Sequence, residues 1–281
     1  MVITRRPRDI RRRSEAWRRR GLSVGFVPTM GALHEGHVSL IRRALAADDR
    51  VVVSVFVNPT QFGPKEDFSR YPRPFRSDAA KCGAAGAHAV YHPDVRDMYP
   101  EGFGTRVEVE GLSSLLCGSF RPGHFRGVAT VVLKLLEQVR PDALYLGEKD
   151  YQQLTVLRAM ARDLDLPVKV VGCPTIRERD GLALSSRNAY LSTAERAAAP
   201  RLNRALRAGA EEARRRGSTP ASVRARMLRV AHGIPSVRID YLEIVDPDTL
   251  LRPARLKGRL RLLGALRLGN TRLIDNIPVI V

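Results

Sequence analysis

Two histidines three residues apart, His34 and His37, stand where an apolar run gives way to a helical pattern. Residues three apart share a helix face, so both imidazoles can meet one object. A helix start carries unpaired N–H groups and partial positive charge, which favours phosphate. Gly36, between them, leaves the backbone open to close approach. A surface helix with two incidental histidines has the same spacing, so the pair needs company. Lys149 supplies a compact ammonium for phosphate oxygens, and Asp150 beside it suits a ribose hydroxyl or a metal. Ser185, Ser186 and Arg187 share one loop, where a guanidinium fork and two hydroxyls form an anion clamp. Gln61 and Gln153 are long polar side chains beside two of these segments. Such groups, brought to one crevice, suit attack on the α-phosphate of a nucleotide. The developing charge and the departing pyrophosphate need electrostatic stabilisation, with a divalent ion sharing it.

The positioning elements follow from hydrophobic period. Leu22, Val24 and Val27 predict a short buried strand, broken by Pro28 and Gly31 before a helix carrying Val38, Leu40, Ile41, Ala44 and Leu45. Residues 50–57 are nearly all apolar and β-branched, as in a strand buried on both faces of a parallel sheet. Strand, helix and strand at this length form a right-handed βαβ unit, whose ligands bind at the strands' carboxyl ends. The turn at 28–37 and the loop after Val57 are therefore expected to be neighbours. Further strands are predicted at 87–91, 105–110, 142–146 and 168–171, with helices at 5–20, 77–85, 128–139 and 154–163. The basic, glycine-containing run 121–127 precedes one of those helices, again a phosphate-friendly start or a plain turn. From Ser192 an alanine- and arginine-rich helix is expected to about residue 216, then a second to about 231, then strands at 237–245, 260–268 and 271–281. The fold expected is α/β: a Rossmann-like, parallel-sheet nucleotide-binding domain over 1–175, with a smaller α+β C-terminal domain over 176–281 covering the active site.

At 281 residues and 44% hydrophobic content, the chain can bury a large core. No apolar run approaches the roughly 18 residues of a membrane span. No secretory signal is evident, and three scattered cysteines suit free thiols in a reducing compartment, so the expected location is cytoplasmic. The net charge of +19 is unusual and mostly arginine. A nucleic-acid surface would carry it, but aromatic residues do not interleave with most clusters, and arginine is a good helix former that covers apolar surface with its stem. The charge is read as a solvated surface, with nucleic acid disfavoured.

Neither a G-x-x-x-x-G-K-[ST] loop nor a G-x-G-x-x-G turn with its usual acidic residue is present. Instead, PTMGALHEGH (28–37), FVNPTQFG (56–63), GEKDYQQ (147–153) and LSSRN (184–188) resemble the signature segments of the pantothenate synthetase family, in the family's order and spacing. The likeness spans essentially the whole chain. The H-x-G-H element alone would imply only the wider superfamily of adenylyl-transferring α/β enzymes.

The resemblance implies ATP-dependent condensation of (R)-pantoate with β-alanine through pantoyl adenylate, releasing AMP and pyrophosphate. It implies an ATP site lined by Met30, Gly31, Ala32, Leu33, His34, Glu35, Gly36, His37, Gly147, Glu148, Lys149, Asp150, Ile176, Leu184, Ser185, Ser186 and Arg187. His34, His37 and Lys149 would be catalytic, with His37 the proton donor. Gln61 and Gln153 would hold pantoate, Gln61 also lying near β-alanine, and Asp78 would help bind Mg2+. The loop at 63–77 would cover the reactive adenylate, and the protein would be a homodimer. Leu184 stands where the family commonly has methionine, which keeps apolar volume. The arginine-rich N-terminal helix exceeds the family pattern and leaves room for a further anionic partner. Two other readings remain at this level: a basic nucleic-acid-binding protein on the same scaffold, and a nucleotidyltransferase that uses another acid or stops at the adenylate.

Overall fold

Branched apolar runs and amphipathic helices alternate through the first two thirds of the chain, and the computed structural model describes residues 1–64 and 66–281. Lys65, within the expected cover loop, lies outside the described residues. In chain order the elements are β1 (Val2–Thr4), α1 (Pro7–Arg18), β2 (Val24–Thr29), α2 (Glu35–Leu45), β3 (Arg50–Val55), α3 (Phe75–Ala84), β4 (Ala89–Tyr91), α4 (Val95–Met98), α5 (Cys117–Phe120) and α6 (His124–Val139). There follow β5 (Ala143–Gly147), α7 (Tyr151–Asp163), β6 (Lys169–Cys173), α8 (Thr193–Ala198), α9 (Arg201–Ala213), α10 (Pro220–His232), β7 (Val237–Val245), β8 (Arg259–Leu268) and β9 (Thr271–Ile280). Two units are distinguished. The first comprises Met1–Ser114, Arg121–Glu148 and Val156–Pro174, and the second Leu115–Phe120, Lys149–Thr155 and Thr175–Val281.

The first unit is built on a six-stranded parallel sheet in the order β1-β4-β3-β2-β5-β6. Val51, Val52, Val53 and Val55 of β3 are buried, as an interior parallel strand requires. α2 turns Val38, Leu40, Ile41 and Ala44 inward, and these join Val27, Val53 and Tyr145 in one core cluster apart from Val38. From β2, strand order runs outward one way through β3 and β4, and the other way through β5 and β6. Open α/β sheets bind ligands at the carboxyl ends beside such a reversal. β2 ends at Thr29, just before the histidines, and β5 ends at Gly147.

The second unit packs α9 and α10 on an antiparallel sheet in the order β7-β8-β9. Leu202, Leu206, Met227, Leu242, Leu262 and Leu266 form its core, all nearly or fully excluded from solvent. Central β8 is buried through most of its length, while β7 and β9 are edges.

Four local expectations are corrected. Pro28 does not end the first strand: it lies within β2, opposite Ser54. Pairing of β2 with β5 covers only Gly25 and Phe26, so the absent N–H of Pro28 interrupts no ladder on that side. Residues 105–110 alternate but form no strand, because none among the described residues pairs with them; the Val107 N–H is met by the Thr130 hydroxyl at 3.0 Å instead. The helix expected from 193 to 216 is two helices, α8 and α9, parted at Ala199 and Pro200. The basic run 121–127 is a turn only over 121–123: α6 already starts at His124, behind Gly123 in the left-handed region.

Part of the arginine excess is structural. In the first unit Arg18 pairs with Asp142 and Arg140 with Glu15. In the second, Arg196 bridges Glu178 and Asp180, Glu243 takes Arg224 and Arg252, and buried Asp240 takes Arg267 and Arg272. All three cysteines are buried free thiols. No described helix is long and apolar enough to cross a membrane.

Candidate active site

In the first unit the chain leaves β2 through a strained turn and enters α2. Gly31 has φ +83° and Ala32 φ +50°, the left-handed region that costs a non-glycine residue about 1 kcal/mol or more. The turn is held by Asp78 of α3. Its Oδ2 accepts the Ala32 N–H at 2.9 Å and its Oδ1 the Leu33 N–H at 2.8 Å, while Lys81 donates to the Leu33 carbonyl. A Cβ on Gly31 would lie 2.9 Å from Asp78 Oδ2, so glycine is required for both conformation and space.

Beyond this turn the two histidines cap α2 reciprocally. His34 is the N-cap, and its Nδ1 accepts the Gly36 N–H at 3.1 Å. His37 is the third helical residue, and its Nδ1 accepts the His34 N–H at 3.3 Å. The rings lie 4.2 Å apart between centroids. A neutral imidazole that accepts at Nδ1 carries its proton on Nε2. The capping geometry therefore makes each Nε2 a donor, at a helix N-terminus that itself favours anions.

Gln61 sits in a 3-10 turn, Pro59–Gln61, capped by Asn58. Its Oε1 accepts from Asn58 Nδ2 at 3.1 Å, and its Nε2 lies 2.9 Å from Met30 Sδ. Its backbone carbonyl accepts from His124 Nδ1 at 2.8 Å and from Arg121. Arg121 in turn grips Glu66 through two 2.6 Å hydrogen bonds and donates to His124 Nε2. Burial alone would raise the Glu66 carboxyl, but the bonds and charge of Arg121 outweigh it and hold it below the usual range. The turn at 30–37, Gln61 and Asp78 are thus one connected group.

The second unit carries the remaining candidates apart from Gly147 and Glu148, which belong to the first. Lys149 lies in the 3-10 turn Glu148–Asp150, with Nζ 3.7 Å from Asp150 Oδ2. Gln153 falls in the first turn of α7, next to Gln152, which is buried and bonded to the Cys117 N–H and the Leu115 carbonyl. Residues 176–184 form a tight hairpin: Arg177 bridges Ala183, and the Leu184 N–H donates to the Ile176 carbonyl at 3.0 Å. Ser185 caps the following 3-10 turn, Ser186–Tyr190, by accepting the Arg187 N–H.

A sequence model of pantoate–β-alanine ligase matches residues 2–278. The chain belongs to the pantoate–β-alanine ligase family. Similar relatives include the pantothenate synthetase of Paramagnetospirillum magneticum, 55% identical over 279 residues with 99% of this chain and 97% of that one covered. That of Rhodospirillum rubrum is 54% identical over 286 residues, with 99% of each covered. Among solved structures, pantothenate synthetase from Thermus thermophilus matches with a TM-score of 0.94 at 49% identity over the whole of both chains. Pantoate–β-alanine ligase from Francisella tularensis, complexed with βγ ATP and β-alanine, matches at 0.80 and 34% identity, covering 99% and 97%.

In this member of the ligase family, Asp78 is fully buried and both its oxygens receive backbone N–H groups. As placed, both oxygens of this carboxylate hold the turn. Among the described residues no cluster of three or more His, Cys, Asp and Glu side chains could hold a metal ion. In the run 121–127, read from sequence as a phosphate-friendly start or a plain turn, the Arg121 guanidinium fork is on Glu66.

Asn58, Arg121 and His124 were not legible as Gln61's supports. Asn58 before Pro59 is the one local signal that points to a cap there. Gly127 belongs to the same assembly: a Cβ there would lie 2.3 Å from the Thr60 carbonyl oxygen and 2.8 Å from the Gln61 nitrogen. Both are backbone atoms, so the strain cannot be relieved by a side-chain rotation. Gly127→Ala is expected to destabilise the ligase by about 1–3 kcal/mol, read by urea denaturation. Wild-type stability in that variant would contradict the close approach.

Proposed function

We propose that this chain joins (R)-pantoate to β-alanine at the expense of ATP. A pantoate carboxylate oxygen attacks the α-phosphorus of ATP, the bond to the bridging oxygen breaks, and pyrophosphate leaves. The β-alanine amine then attacks the acyl carbon of pantoyl adenylate. AMP departs with the former carboxylate oxygen, and the amine gives up a proton. The family match over 2–278 carries this reading, supported by two paired imidazoles at a helix start. ATP and β-alanine are the ligands named for the Francisella tularensis relative.

His34 and His37 donate hydrogen bonds from Nε2 to the phosphates, and the His37 bond offsets charge on the departing pyrophosphate. Lys149, Ser185, Ser186 and Arg187 offset phosphate charge. Residues 30–37, 147–150, Ile176 and Leu184 line the nucleotide. Gln61 and Gln153 grip pantoate with uncharged amides, which orient a hydroxy acid without trapping it. Mg2+, implied by the resemblance, would enter with ATP near Asp78 and offset phosphate charge. The loop at 63–77 covers the adenylate and limits its hydrolysis. The same proposal includes a cytoplasmic homodimer, for which sedimentation of the purified protein is the check.

The assignment predicts pyrophosphate exchange into ATP that needs pantoate but not β-alanine. Gln61→Ala is expected to raise KM for pantoate at least about tenfold, the cost of one or two lost hydrogen bonds, with little change in KM for ATP. A variant with an unchanged pantoate response would remove Gln61 from the acid site.

A further inference from the structure

Two consecutive residues of β9, Asp275 and Asn276, are polar where their strand is buried, at 5% and 2% exposure. Both are engaged by side chains and backbone of the second unit. Asp275 takes Arg177 in a bidentate pair at 2.7 and 2.8 Å and also accepts from Asn203 at 3.0 Å. The same guanidinium donates to the Gly181 carbonyl and to the Asn276 carbonyl, closing the 177–183 hairpin on the strand. Asn276 uses its amide in the other direction. Its Nδ2 donates to the Lys149 carbonyl at 2.9 Å, and its Oδ1 accepts from Arg261 Nε at 2.7 Å. Arg261 lies over the ring of Tyr151, the first residue of α7, with its guanidinium carbon 3.7 Å from the ring centroid. Adjacent side chains of a strand point to opposite faces, so one dipeptide reaches two segments far apart in sequence.

Those two segments are the ones the proposed function uses in this unit: the turn bearing Lys149 and the hairpin leading to Ser185, Ser186 and Arg187. Polar groups this deeply buried cost stability unless each is satisfied, and an apolar strand would fold without them. Asn276, moreover, donates to the backbone carbonyl of Lys149, and Asp275 holds the Arg177 guanidinium, which itself donates to the Gly181 carbonyl of the hairpin. We infer that Asp275 and Asn276 are positioning residues that set Lys149 and the hairpin in register on β9, acting through Lys149 and not on substrate themselves. This inference rests on the proposed role of Lys149 in holding ATP phosphates.

The test is a double-mutant cycle on the full-length protein with Asn276→Asp and Lys149→Met. Asn276→Asp keeps the acceptor for Arg261 but replaces the donor facing the Lys149 carbonyl by an oxygen. Alone, it is expected to weaken ATP binding by calorimetry, and to lower kcat for pantoate-dependent exchange about 10- to 100-fold with KM for pantoate nearly unchanged. In the Lys149→Met background the same change is expected to do almost nothing further, since the group it places is gone. An equal, additive loss of ATP affinity in both backgrounds overturns the inference, as does a loss that simply tracks a fall in thermal midpoint. If Asn276→Asp does not fold, Asn276→Ala takes its place in the cycle. Calorimetry reads ATP alone, so it tests the positioning role even in a protein that adenylates no pantoate, and failure of the ligase reading is seen separately as absent exchange in the wild type.

Discussion

His37→Gln is expected to slow pantoate-dependent pyrophosphate exchange about 10²–10³-fold while leaving the thermal midpoint within a degree or two of wild type. The choice of glutamine follows from the cap. His37 occupies the third position of α2 and accepts the N–H of the N-cap residue through Nδ1. Glutamine at that position is an ordinary capping-box partner and can accept the same N–H through its amide oxygen. The helix start is preserved, and what disappears is the imidazole Nε2 proton. The proposed reaction uses that proton on the phosphates, where removal of one preorganised donor typically costs two to three powers of ten in rate. His34→Asn makes the parallel case, because asparagine is a preferred N-cap and can accept from Gly36. Were activity and stability to fall together in both variants, the histidines would be caps and nothing more.

Lys149→Met is expected to lower the adenylation rate by a similar factor of about 10²–10³. Methionine keeps an unbranched stem of comparable length and removes only the ammonium. The side chain is one-fifth exposed, and it faces the half-exposed carboxylate of Asp150 at 3.7 Å. An ion pair of that length and exposure contributes under about 1 kcal/mol to stability, so little unfolding should accompany the substitution. The change should appear in kcat for exchange and in ATP affinity. Normal exchange kinetics would withdraw Lys149 from the phosphate site. Lys149→Arg should not restore full rate, because a planar fork does not replace a compact charge.

How far the sequence carried these expectations depended on how local each signal was. The β2–turn–α2 segment was legible because an apolar run, Gly31 and the polar H-x-G-H start follow one another within a dozen residues. β3 was legible because Val51 to Val55 satisfy one simple rule for an interior parallel strand. In the antiparallel C-terminal sheet, central β8 likewise shows a nearly continuous apolar run. The alternating run at 105–110 misled because alternation describes a surface and not a partner, and no strand among the described residues pairs with it. Pro28 misled because its cost in a strand depends on which neighbour needs its N–H. The three-residue edge strand β1 is too short to leave a periodic trace.

The supports of the candidate site are less legible still. Asn276 lies 127 residues from the Lys149 carbonyl it holds, and Arg121 lies 55 residues from Glu66. Segments 115–120 and 149–155 cluster with residues 175–281 and not with their sequence neighbours. Asp78 was attached to metal by resemblance, and its actual bonds, two backbone N–H groups of a left-handed turn, depend on a fold that brings α3 under residues 32 and 33. Side-chain types can suggest a chemistry locally, while the groups that hold them in place are chosen by topology.

The most direct test is pyrophosphate exchange into ATP by the purified wild-type protein, with pantoate as the only acid and β-alanine omitted. Robust exchange with pantoate, and none without it, is the predicted result. A folded protein that binds ATP yet shows no exchange with pantoate would contradict the account.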